Sequence, residues 1–143
     1  MSKNFTHLSV ASGYSFKFGT ASPEKLVAKA AELNLKTLAL TDHDNMAGAI
    51  RFAKSCEEFG ITPILGINIG FIQRQERITL LAQSGKLSSL YRLITAINTN
   101  TTDGVLTIEV LERFSHLSSE VVVLLGPQSA LIKNLISKRR AQR

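Results

Sequence analysis

The sequence has no tryptophan and only 6% aromatic residues, so it offers no evident stacking platform for single-stranded nucleic acid. It has a single cysteine, Cys56, which excludes an internal disulfide and suits a reducing cytoplasm. Cys56 falls on an apolar helix stripe and reads as a small core residue rather than a nucleophile. No apolar run approaches the roughly 18–20 residues that a membrane span needs. The first residues, MSKNFTHLSV, lack the long apolar core of a secretion signal. The phosphate-binding patterns GxxxxGKS/T and GxGxxG are missing, and neither Ser9 nor Ser12 has the GxSxG setting of a nucleophile elbow. Zinc-finger and helix-turn-helix signatures, tandem repeats and low-complexity tracts are likewise lacking.

What is present is an ordinary globular composition. At 143 residues the chain suits one domain, and 44% hydrophobic residues are enough to build a core. The net charge is +6, but Lys138, Arg139, Arg140 and Arg143 supply four of those charges. The body is therefore nearly balanced. The basic end reads as a solvated terminus, or as a segment that touches phosphates.

Periodicity predicts alternating strands and helices. Strands are expected at Phe5–Val10, Thr37–Thr41, Thr62–Ile69, Arg77–Ala82 and Glu120–Leu125. A helix starts after Ser22, with Pro23 in its first turn and an apolar stripe of Leu26, Val27, Ala30, Ala31 and Leu33. A second runs from Met46 to Phe59 and ends at Gly60. A third carries Leu87, Leu90, Tyr91, Ile94 and Ile97, a short one covers Ile108–Phe114, and a last one spans Gln128–Ser137. This order predicts an α/β fold with a largely parallel sheet. Five strands are too few for a closed barrel of about eight, so a barrel implies chain beyond Arg143. A barrel cut short would expose a sheet edge and self-associate.

The segment LALTDHDN, Leu38–Asn45, is the most informative. A buried strand runs directly into Asp42, His43 and Asp44, where α/β folds gather their function. Two acids flanking a histidine can bind a metal or move protons. The same residues also suit an Asp or Asn cap on a strand-to-helix turn, with His43 a packed bystander. His7 on the first strand and Asn68 near the end of the third place further polar groups near one rim. His7, Asp42 and His43 just reach the three strong ligands that Zn²⁺ or Mn²⁺ requires, and Asp44 adds to them. His116 lies in a polar turn and is expected to face solvent.

The residues HLSVASGYSFKFG, LALTDHDNMAGAIRFAKSC and GITPILGINIG resemble the N-terminal PHP domain (polymerase and histidinol phosphatase) of bacterial DNA polymerase III alpha subunits. ITLLAQSGKLSSLYRLI and EVLERFSHLSSEVVVLLG are similar to the same domain, so the resemblance spans about Thr6–Gly126. It implies part of a distorted (β/α)7 barrel. It assigns residues 1–137 to the N-terminal part of a PHP domain and leaves 138–143 as a basic tail or truncated helix.

Active members of this family bind metals at the carboxyl rim and hydrolyse phosphoesters, some in 3′–5′ proofreading. Asp42 and His43 match the second family motif. The first motif, HxH, reads His7-Leu8-Ser9 here, and a further family histidine is Ala11. Phe18 stands where the family often has an acid, and Asn68 where it usually has a glutamate. The resemblance therefore implies a degenerate site. His7, Asp42 and His43 remain as remnant ligands of low occupancy, and no cofactor is expected, with Zn or Mn present only if the site functions.

The implied role is a structural or interaction module within a DNA-directed DNA polymerase, a cytoplasmic nucleotidyltransferase (transferase) of DNA replication or repair synthesis. Its partners would be the rest of the polymerase chain, replisome or proofreading subunits and, indirectly, DNA, with no membrane. Two other readings stand beside it. One is a metal-dependent phosphoesterase or exonuclease of the same superfamily. The other is an unrelated α/β binding module in which the Asp-His-Asp run only caps a helix.

Overall fold

Ser22 begins the first helix as its sequence predicts. Its hydroxyl accepts from the Lys25 N–H at 3.4 Å, Pro23 takes the first turn, and helix α1 runs Pro23–Glu32. The computed structural model describes residues 5–71, 76–100, 106–113, 115–117 and 119–126. Within α1, Val27 and Ala30 are buried, whereas Leu33 falls past the helix end and is exposed.

Strand β1 (Thr37–His43) buries every residue from Leu38 to Asp42. Helix α2 (Ala49–Phe59) starts three residues later than the Met46 expected from periodicity. Its cap is Gly48, which has no side-chain cap bond, and Gly60 at φ +64 ends it. Asp44 caps nothing in α2. Asn45 Oδ1 accepts from the Ala47 N–H at 3.0 Å, which closes a turn ahead of the helix instead.

Strand β2 (Thr62–Phe71) pairs parallel to β1, from Thr37 opposite Thr62 to His43 opposite Asn68. Strand β3 (Glu76–Ala82) pairs antiparallel to β2, and β4 (Val121–Leu125) antiparallel to β3, giving the order β1-β2-β3-β4. The fold is mixed α/β with a four-stranded sheet, and the expectation of largely parallel strands is corrected. Among the described residues, one of its three strand pairs is parallel. Four residues separate β2 from β3. A link that short joins antiparallel neighbours, since a parallel pair needs a crossover of a dozen or more residues.

The expected first strand, Phe5–Val10, is also corrected, to one parallel bridge between His7 and Leu38. The Ala39 N–H donates to His7 O at 3.0 Å and the Thr41 N–H to Val10 O at 2.8 Å. Two steps along β1 thus match three along the segment, so the segment bulges out of register. The Val10 N–H turns to Thr41 Oγ1, at 3.0 Å.

Helix α3 (Leu87–Asn100) buries Leu90, Leu93, Ala96 and Ile97. This stripe repeats every three or four residues and leaves Tyr91 outside, contrary to expectation. With Leu106 and with Val110 of helix α4 (Ile108–Arg113), the α3 residues pack on Ile67, Ile69, Ile78 and Leu80. A second cluster joins Val27 and Ala30 of α1 to Leu38, Leu40, Phe52 and Cys56.

His116 lies in a 3-10 turn, Ser115–Leu117, and is exposed. On β4, Val122, Val123 and Leu125 are exposed. Among the described residues no helix is long and apolar enough to cross a membrane. The helix expected at 128–137 and the basic residues 138–143 lie outside the described residues.

Candidate functional site at the end of β1

The carboxylate of Asp42, 1% exposed, is the centre of this region. It ends the buried run of β1. Its partners come from the Gly- and Ser-rich loop after residue 10. The Ser12 N–H and the Ser15 hydroxyl each donate to Asp42 Oδ1 at 2.6 Å, and the Ser12 hydroxyl donates to Oδ2 at 2.8 Å. Ser15 Oγ also accepts from the His43 N–H at 2.9 Å. Neutral donors therefore satisfy both oxygens of this buried side chain, as such burial demands.

Gly19 lets the loop close. A Cβ there would stand 2.0 Å from Ser12 O, so no larger residue fits without moving the backbone. The closed loop sets out Tyr14, Phe16 and Phe18 as exposed rings, the last two 81% and 67% exposed.

His43 follows Asp42 and is half-buried. The Phe18 ring lies against its imidazole, with centroids 4.0 Å apart at 44°. Its Nδ1 is buried and has no hydrogen-bond partner among the described residues. Burial first, and then the positive charge of Arg77, hold its pKa below the usual histidine range, against the opposing pull of Asp44 and Asp42.

Asp44 has a backbone φ of +59, a conformation that Asp tolerates better than most residues. That turn directs it to β3, where its Oδ1 pairs with Arg77 Nη2 at 2.9 Å. The Gly70 N–H also donates to Asp44 Oδ1, at 3.3 Å. Arg77 reaches β2 as well, donating from Nε to Asn68 Oδ1 at 2.5 Å and from Nη2 to Asn68 O at 2.7 Å. The Asn68 amide in turn donates to Thr79 Oγ1 at 3.0 Å.

His7 is not brought to this group. It bridges Leu38, five residues before His43 on β1, a separation of about 16 Å along a strand. Its side chain lines an apolar groove with Leu26, Ala30, Leu33 and Leu38.

The donor set can be tested against a divalent metal. The orphaned His43 Nδ1 is the kind of atom a metal would use. The other candidates are committed elsewhere: Asp42 carries three hydrogen bonds, Asp44 is paired with Arg77, and His7 lies near the start of β1. Among the described residues no three His, Cys, Asp or Glu side chains converge on one point. This set does not fit a Zn²⁺ or Mn²⁺ ion. Sequence reasoning missed Ser12, Ser15 and Arg77. The only available signal was that a strand-buried Asp42 must find donors, and the nearest polar loop supplies them.

Comparison with known proteins agrees with the motif reading. The PHP domain family matches residues 7–142. The DNA polymerase III subunit alpha of Buchnera aphidicola subsp. Acyrthosiphon pisum is 35% identical over 93% of this chain and 12% of its own length. The error-prone DNA polymerase of Symbiobacterium thermophilum is 43% identical over 65% of this chain and 9% of its own length. This chain thus spans about a tenth of the relatives it matches. Among solved structures, an amidohydrolase from Chromobacterium violaceum is 17% identical over 80% of this chain and 49% of its own, with a TM-score of 0.46.

Proposed function

This chain belongs to the PHP domain family, and from that premise we propose that it is the N-terminal PHP portion of a DNA polymerase III alpha-type subunit. In this reading it is a structural and interaction module, and nucleotidyl transfer belongs to the rest of a cytoplasmic replication or repair polymerase. Residues 1–137 form part of a distorted (β/α)7 barrel, and 138–143 are its basic end. The partners are the remaining polymerase chain and replisome or proofreading subunits, with DNA reached indirectly.

One observation carries the proposal of a decayed metal site. Asp42, the second-motif carboxylate, is bound by Ser12 and Ser15 and serves to dock a loop. Asp42 and His43 are the remnant of the ligand set, with His7 set apart from them. The test is elemental analysis after incubation with Zn²⁺ or Mn²⁺ and desalting. Under a tenth of an equivalent is expected.

The orphaned His43 Nδ1 favours a second reading, a metal-dependent phosphoesterase or 3′–5′ exonuclease of the same superfamily. One or more equivalents of metal, lost in His43→Ala, would establish that reading in place of the first.

A further inference from the structure

Three oxygens converge on Arg77: Asp44 Oδ1 at 2.9 Å, Asn68 Oδ1 at 2.5 Å and Asn68 O at 2.7 Å. They come from the end of β1 and from β2, and the guanidinium comes from β3. Three hard oxygens, one of them a carboxylate, are the donor class that Mn²⁺ or Mg²⁺ takes. Here a fixed organic cation stands among them instead.

We infer that Arg77 is the resident cation of the carboxyl rim: it fills this oxygen cage, ties three strands together and keeps divalent metals out. The inference deepens the reading of a decayed metal site and rests on it.

The geometry supplies the reasons. A guanidinium presents a planar fork of donors, so one side chain satisfies both oxygens of Asn68 while pairing with Asp44. The Arg77 and Asp44 side chains are 32% and 48% exposed, so the charge pair alone contributes little in water. The bonds to Asn68 add directional hold, and Asn68 is anchored behind by Thr79, a residue 6% exposed. Asp44 reaches Arg77 only through its left-handed backbone, and its own N–H donates to Asn68 O at 2.9 Å. The cage is thus closed by main chain as well as by side chains. A divalent ion entering it would sit against the positive charge of the guanidinium.

The experiment compares the full chain with Arg77→Met, which keeps the stem and removes the charge, and with Arg77→Lys, which keeps a charge. Melting is followed with and without 1 mM Mn²⁺, the concentration being of the order used for weak oxygen sites. Wild type and Arg77→Lys are expected to shift by less than about 1 °C with Mn²⁺. Arg77→Met is expected to melt about 5 °C lower without metal and to recover at least about 2 °C with it. An Arg77→Met protein that melts like wild type, or that ignores Mn²⁺, overturns the inference.

If Arg77→Met does not fold, the Arg77 Nε–H resonance of wild type decides. A signal that stays sharp in substoichiometric Mn²⁺ supports the inference, and paramagnetic broadening defeats it. Retention of metal by wild type would instead defeat the decayed-site reading itself. A metal-free wild type with a silent Arg77→Met removes only the role of Arg77.

Discussion

The hydroxyl of Ser15 lies 2.6 Å from Asp42 Oδ1 and 2.9 Å from the His43 backbone nitrogen, donating to the first and accepting from the second. One loop side chain thereby fixes both residues of the family's second motif. Asp42 is held by Ser12 and Ser15, not by a cation.

Replacing Asp42 should therefore cost stability. Asp42→Asn keeps one acceptor oxygen but sets an amide donor against a donor at the other position, and Asp42→Ala leaves all three donors without their acceptor. Either change is expected to destabilise the chain by about 2–4 kcal/mol in urea unfolding. A loss under about 1 kcal/mol would show that the loop does not depend on Asp42.

Stability should also rise with pH through the histidine range. The folded state holds His43 neutral, with its pKa lowered mainly by burial. The unfolded state therefore binds the extra proton first as pH falls below the ordinary histidine value of about 6.5. The contribution of His43 is full above that value and is lost as pH drops from it toward the lower folded pKa. His43→Gln should flatten this part of the stability–pH curve. An unchanged slope in urea melts between about pH 5 and 7.5 would refute it.

Rebuilding a metal site should require the removal of Arg77. Ser9→His, Phe18→Asp and Asn68→Glu restore family-type ligands, and Phe18 already lies against His43. With Arg77 in place the new carboxylate at position 68 pairs with the guanidinium. The triple variant is expected to bind Mn²⁺ at least about tenfold more weakly than the same variant with Arg77→Met, as measured by calorimetry. Equal affinities would place the new ligands away from the cage.

Cys56 is fully buried, and burial pushes its thiol up to about 11. At neutral pH it should react with a thiol reagent at least about a hundredfold more slowly than free cysteine, with full reactivity returning in denaturant. Fast native labelling would mean that the cluster around Phe52 and Val27 opens readily.

Much of this fold can be read from local chemistry. Ser22 and Pro23 start α1 where capping rules put it, Gly60 ends α2, and the apolar runs mark β1 and β2. The sense of the pairing was less legible. Apolar runs record burial on both faces and carry no direction, so the sheet read as largely parallel although β3 and β4 pair antiparallel. At the site, Asp42 and His43 stood out through their place after a buried strand. Arg77 did not, because its partners Asp44 and Asn68 lie 33 and 9 residues away and meet it only through strand register. His7 drew attention by residue type, yet the bridge to Leu38 sets it near the start of β1.

The chain-ordered sheet has a kinetic corollary. Each strand hydrogen-bonds to its neighbours in sequence, and the β2–β3 pairing is the most local of these. That pairing closes early, at small loop entropy, whereas the docking of Ser12 and Ser15 on Asp42 joins residues 27 to 30 apart. The loop should therefore settle after the folding transition state. Asp42→Asn would then accelerate unfolding while leaving the refolding rate nearly unchanged.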